Sequence, residues 1–148
     1  AYTSLPVLDL SRLEAGPEER AALLDEVRRT AYDLGFFYVT GHGVEPELIS
    51  QVLGLSRQFF ALPEADKLAI EMVNSPHFRG YNRKGMEFTR GQRDWREQVD
   101  FGPEREALPR GADAPAWARI QGPNQWPAAL PEVREVILRY QAAAASLA

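Results

Sequence analysis

The sequence contains no cysteine, which excludes disulfides and every metal site built on thiolates. Histidine is scarce, with only His42 and His77. No apolar run approaches the roughly 18 residues of a membrane span. The N-terminus lacks the basic and apolar segments of a secretory leader. There is no glycine-rich phosphate loop, no Gly-x-Ser-x-Gly and no His-Glu-x-x-His. The formal charge of −4 gives no basic field for nucleic acid or an anionic membrane. These absences lead us to expect a soluble, cytoplasmic protein with no nucleic-acid and no membrane partner.

What is present fits one domain. The chain has 148 residues, 45% of them hydrophobic and 26% charged, enough for a core under an ordinary charged surface. The pattern is organised around Gly35-Phe36-Phe37-Tyr38-Val39-Thr40-Gly41-His42-Gly43-Val44. Residues 36–40 are aromatic or β-branched and closed by glycines, which predicts a short buried strand. Residues 5–10 alternate around Pro6 and predict another strand, followed by a loop over 11–17. Residues 17–34 predict a helix, with Pro17 and two glutamates in its first turn and Gly35 as its stop. Its apolar face would be Leu23, Val27, Ala31 and Leu34.

Pro46 opens a second predicted helix with Leu48, Val52, Leu55 and Phe59 on one face, and Pro63 ends it. A short helical turn follows. Residues 75–94 are polar and glycine-bearing and predict a loop or irregular strands. Residues 98–102 predict a brief strand, and five prolines between 103 and 127 predict loop. Residues 130–147 predict a third long helix with Val133, Ile137, Tyr140, Ala144 and Leu147 on one face. That helix runs into alanines with no stop signal, and the central strand has few visible partners. Both features predict that the chain continues past Ala148.

Chemistry is sparse. The order strand, helix, strand suggests a nucleotide-binding half, but Ser11-Arg12-Leu13-Glu14 follows the first strand where a phosphate loop belongs. Gly41-His42-Gly43 reads as a turn. A facial iron site needs two histidines and a carboxylate. Neither histidine stands in a His-x-Asp pair, so His42 reads as a turn residue and His77 as a loop residue. The richest polar stretch is His77-Phe78-Arg79-Gly80-Tyr81, followed by Glu87, Thr89, Asp94 and Glu97. Arginine holds carboxylates through paired hydrogen bonds. Residues two apart on a strand share a face, so Arg79 and Tyr81 would address one ligand. The other reading is an arginine paired with a local acid on a solvated loop.

Several of these stretches, in order, resemble the N-terminal region of isopenicillin N synthase-like, iron(II)/2-oxoglutarate-dependent dioxygenases. They are Leu5-Pro6-Val7-Leu8-Asp9-Leu10, the segment 35–44 and Phe59-Phe60-Ala61-Leu62-Pro63. Arg79-Gly80-Tyr81, then Asp94 and Glu97 before Val99-Asp100-Phe101-Gly102, and finally Gly122-Pro123-Asn124-Gln125-Trp126-Pro127 continue the series. The resemblance covers nearly the whole chain.

The resemblance implies an α+β chain: residues 1–148 as a helical N-terminal region whose few strands join a double-stranded β-helix (jelly-roll) core lying mostly beyond residue 148. It implies iron(II) and 2-oxoglutarate in the full-length enzyme, with 2-oxoglutarate and O2 consumed to oxidise a C–H bond of a small molecule. The His-x-Asp…His triad and Arg-x-Ser clamp of that family are missing here, so no catalytic, metal or co-substrate residue is assigned to this chain. Arg79, Tyr81, Glu87 and Thr89 are the substrate-binding candidates. Its partners would be the substrate and the jelly-roll portion of the same protein. Two alternatives stand beside this: an iron/O2 oxidase of the same fold that does not use 2-oxoglutarate, and a stand-alone non-catalytic binding module.

Overall fold

A computed structural model describes residues 4–86, 88–109, 111 and 114–147. The chain forms two compact units that divide after Val44. Among the described residues no helix is long and apolar enough to cross a membrane.

The first unit is a strand–helix–strand. β1 (Val7–Asp9) and β2 (Tyr38–Thr40) pair in parallel, with Val7 opposite Tyr38 and Leu8 opposite Val39. A parallel pair needs a crossover, and α1 (Pro17–Asp33) supplies it. Residues 10–14 form a 3₁₀ turn where a loop was predicted. The Asp9 carboxylate starts this turn by accepting from the Ser11 N–H at 3.0 Å and the Ser11 hydroxyl at 2.8 Å. Gly41, at φ +61°, abuts both groups, and a Cβ there would overlap the Asp9 carboxylate. α1 ends as predicted: Gly35 has φ +86° and its N–H reaches the Thr30 carbonyl at 3.2 Å.

Two expectations for this unit need correction. The buried face of α1 is Leu23 and Thr30, one heptad apart, and Ala31 is exposed. The segment 36–40 is not a buried strand. The strand is shorter, and Phe36 and Tyr38 are 58% and 61% exposed. With aromatics on both faces, the run hides the alternation that would separate a covered face from an open one.

The second unit carries α2 (Pro46–Ala61), α3 (Glu64–Leu68), β3 (Gly80–Asn82), β4 (Phe88–Thr89), β5 (Gln92–Arg93), β6 (Gln98–Asp100) and α4 (Glu132–Leu147). β3 and β6 pair antiparallel, with Tyr81 opposite Val99. β4 and β5 form a hairpin across Arg90 and Gly91, both at positive φ (51° and 78°). Two consecutive positive φ angles give the turn whose twist suits a two-residue hairpin. The core gathers Phe59, Ile70 and Tyr81, with Phe60, Leu62, Leu68, Val99 and Leu130 packed around them. The Phe59 and Tyr81 rings meet edge to face at 6.0 Å. On α4 the buried residues are Val133 and Val136, while Tyr140 is exposed.

Candidate functional site

The segment 122–127 assembles the site. Gly122 lies against the His77 ring, where a Cβ would overlap the imidazole. The Asn124 amide brackets Gly102, accepting from its N–H at 2.8 Å and donating to its carbonyl at 2.8 Å. Gln125 Nε2 donates into a cluster of three backbone carbonyls, those of Arg79 (2.9 Å), Glu71 (3.0 Å) and Ile70 (3.3 Å). Trp126 stacks on Phe101 at 4.8 Å and 11°. Glu104 receives the Asn124 amide, the Asn124 N–H and the Trp126 indole N–H. Burial opposes ionisation of Glu104, but these donors together hold its carboxyl below the usual range.

This frame fixes Arg79. Phe78 has φ +59°, a left-handed conformation that strains a bulky residue. Gly80 follows at φ +120°, and a Cβ there would overlap the Ile70 carbonyl and the Gln125 amide. Between them, Arg79 turns its guanidinium back on the chain. Nη1 donates to the carbonyls of His77 and Phe78, each at 3.0 Å, and Nη2 donates to that of Ile120 at 3.1 Å. The guanidinium lies flat on Gly102, and its Nε is buried without a hydrogen-bond partner. Among the described residues no carboxylate pairs with Arg79. It lines a pocket of about 230 Å³ with Pro103, Arg105, Trp117, Ile120 and Gln121.

Tyr81 lies elsewhere. Its ring is in the core, 2% exposed, and its hydroxyl donates to Glu97 Oε2 at 2.6 Å. Lys67, 8% exposed, donates to the same oxygen at 2.8 Å and to the Phe60 carbonyl at 3.2 Å. The Lys67 and Tyr81 hydrogen bonds pull the Glu97 carboxyl below the usual range against the effect of burial. Burial, then the bond to Glu97, raises the Tyr81 phenol. This cluster lines a second pocket with Glu64, Arg83 and Lys84. The expectation that Arg79 and Tyr81 address one ligand is therefore corrected. Strand alternation assumes extended backbone between the two residues, and Gly80 at φ +120° breaks it.

Thr89 lies on β4, exposed and opposite Gln92. Glu87 lies outside the described residues. His42 caps its own turn, its Nδ1 accepting from the Val44 N–H at 3.1 Å. His77 is buried with its Nδ1 3.1 Å from the Arg119 carbonyl. A carbonyl only accepts, so that nitrogen carries the proton. Each histidine thus uses its Nδ1 within the chain, and among the described residues no group of three His, Asp or Glu side chains is placed to hold a metal ion. The described residues do not fit an iron site. Sequence reasoning missed Arg105, Trp117 and Ile120, which sit in the proline-bearing stretch read only as loop.

The fold is that found in 2-oxoglutarate/iron(II) oxygenases. The crystal structure of a full-length Neurospora crassa protein in complex with alpha-KG superposes with a TM-score of 0.73 at 23% identity, over 97% of this chain and 43% of that one. A putative 2OG-Fe(II) oxygenase family protein from Caulobacter crescentus gives 0.68 at 21% identity, over 95% and 43%. Residues 5–129 match the family model described as non-haem dioxygenase in morphine synthesis N-terminal, and the chain belongs to that family.

Among curated relatives, 2-oxoglutarate-dependent dioxygenase frbJ from Dothideomycetidae sp. is 44% identical over 95% of this chain and 37% of the relative. Homoarginine-6-hydroxylase 2-ODD-C23.2 from Arabidopsis thaliana is 36% identical over 92% and 40%. The chain spans about two fifths of the length of these relatives.

Proposed function

We propose that this chain is the N-terminal part of a non-haem iron(II)/2-oxoglutarate-dependent oxygenase that oxidises a small molecule by hydroxylation, desaturation or cyclisation. The observation that carries the reading is the match to dioxygenase relatives along almost the whole chain, at 44% identity to one named for 2-oxoglutarate dependence. Iron(II) and 2-oxoglutarate would be held by a jelly-roll portion beyond residue 148, because among the described residues no group of His, Asp and Glu side chains is placed to hold a metal ion. The cofactor pair supplies the oxidising chemistry.

This chain supplies scaffold and part of the substrate wall. Arg79 contacts the substrate directly. Tyr81 serves the wall from the core, by fixing β3 through Glu97. Thr89 would contribute a hydroxyl from the β4–β5 hairpin, and Glu87 would contribute a carboxylate to the same wall. In the full-length protein, succinate formation from 2-oxoglutarate should require iron(II) and rise on adding substrate. Arg79→Ala should weaken substrate binding about tenfold or more, the scale of a charge-assisted hydrogen bond, and leave 2-oxoglutarate affinity nearly unchanged. Substrate oxidation that proceeds without 2-oxoglutarate would replace this reading with the oxidase. Succinate formation that ignores iron would end it.

A further inference from the structure

The pocket beside Arg79 has a chemical character of its own. Arg79 is half-buried and always charged. A guanidinium has five N–H donors, and three hydrogen bonds are seen, all to backbone carbonyls. Carbonyls orient the group without cancelling its charge. Arg105 is the second cation of the pocket, exposed and without an ion pair among the described residues. Glu104, the acid between Pro103 and Arg105 in sequence, is committed to Asn124 and Trp126, with Arg134 at 3.9 Å. The remaining wall is mostly apolar, with Trp117, 61% exposed, Pro103 and Ile120, and its one other polar member, Gln121, has its amide 3.4 Å from the Glu106 carbonyl. The strained φ of Phe78 holds Arg79 in this posture, and such strain gathers where geometry serves a ligand.

We propose that this pocket binds a small molecule by its carboxylate, with Arg79 and Arg105 on the oxyanion and a planar body lying on Trp117. Two arginines lining one pocket, with no carboxylate paired to either among the described residues, suit an oxyanion: Nη2 of Arg79 keeps one N–H beyond its bond to Ile120, and the exposed Arg105 can offer a pair. The exposed indole suits a flat partner. The inference rests on the oxygenase reading only in taking the bound molecule as that enzyme's substrate, which would then be an acid with a flat body. Arg105 and Trp117 become specificity-determining residues that no motif in the sequence marks.

The test uses the full-length protein and benzoate as probe, with benzamide as its neutral isostere. Binding is followed by calorimetry and by indole fluorescence. Benzoate should bind at least about tenfold more tightly than benzamide, the scale of a charge-assisted bond. Arg105→Glu reverses an exposed charge and should abolish benzoate binding with an unchanged melting curve. Trp117→Ala should weaken benzoate several-fold and remove the fluorescence response. Arg79→Gln should weaken benzoate as well; where that variant fails to fold, Arg105→Glu decides. Equal affinity for benzoate and benzamide, or benzoate binding indifferent to Arg105→Glu, overturns the proposal. Succinate formation by the wild type is measured separately. Turnover without benzoate binding overturns the pocket alone, and benzoate binding without turnover overturns only the oxygenase reading.

Discussion

Two cations stand on the same side of Gly80 in the sequence and end in opposite electrostatic states. Lys67 is 8% exposed and shares Glu97 with the Tyr81 hydroxyl. Its charge is cancelled at 2.8 Å, and its ammonium also sits 5.4 Å from the Tyr81 ring centroid. Arg79 is less buried and is met by carbonyls alone. A buried charge is costly unless paired, and removing one partner of a pair strands the other. The Lys67 arrangement is closed and serves the core. The Arg79 arrangement is fixed in shape but open in charge, which is what a binding site for an anion requires.

The largest effect should come from breaking both arrangements at once. Gly80→Ala forces a side chain into φ +120° and against the Ile70 carbonyl. It should cost about 3–4 kcal/mol of stability, measured by denaturant unfolding of the full-length protein, and should abolish ligand binding at the Arg79 pocket. Unfolding within about 0.5 kcal/mol of wild type would show that β3 tolerates ordinary backbone.

Next in size, Glu97→Gln puts Lys67 into the uncompensated state of Arg79. We expect a loss of about 2–3 kcal/mol, below the full cost of a broken buried pair because Glu97 is partly exposed. The loss should depend on acidity. The folded-state value of Glu97 lies below the ordinary 4.5, so its stabilisation is complete above about 4.5 and disappears as the pH falls through the depressed value. Wild type and Glu97→Gln should therefore converge in stability on the acid side. A constant difference down to strong acid would detach the stabilisation from the charge.

The smallest effect is expected for Arg79→Gln. It gives up carbonyl hydrogen bonds but also removes a half-buried charge that lacks a counter-ion among the described residues. The net cost should be about 1 kcal/mol, clearly less than that of Glu97→Gln. A larger cost for Arg79→Gln would reverse the comparison and make Arg79 a fold-holding residue.

The legible parts were those fixed by local chemistry. Pro17, Pro46 and Gly35 set helix ends that lie within a residue or two of the observed ones. The helical stripes located Leu23, Leu48, Phe59 and Val133, all buried. The β4–β5 hairpin was missed because Arg90-Gly91 is not the usual Asn-Gly pair. Pairing partners of strands were invisible, since β3 joins β6 across a chain segment with no periodic signal. For the site, Arg79 stood out by residue type. Its separation from Tyr81 depends on one backbone angle at Gly80, and Arg105 and Trp117 reach it only through tertiary folding of a proline-bearing stretch.

The Gln125 amide reaches three carbonyls 46 to 55 residues earlier in the chain. That places a timetable on the molecule. Contacts of this sequence separation form late relative to local ones, so α2 and the β4–β5 turn can form well before Gln125 arrives. During synthesis the ribosome releases Arg79 first, and for some seconds, at roughly 5–20 residues per second, the residue has neither Ile120 nor Gln125 to hold it. The anion pocket is therefore among the last features to take shape, and a nascent chain halted before residue 120 carries Arg79 without its site.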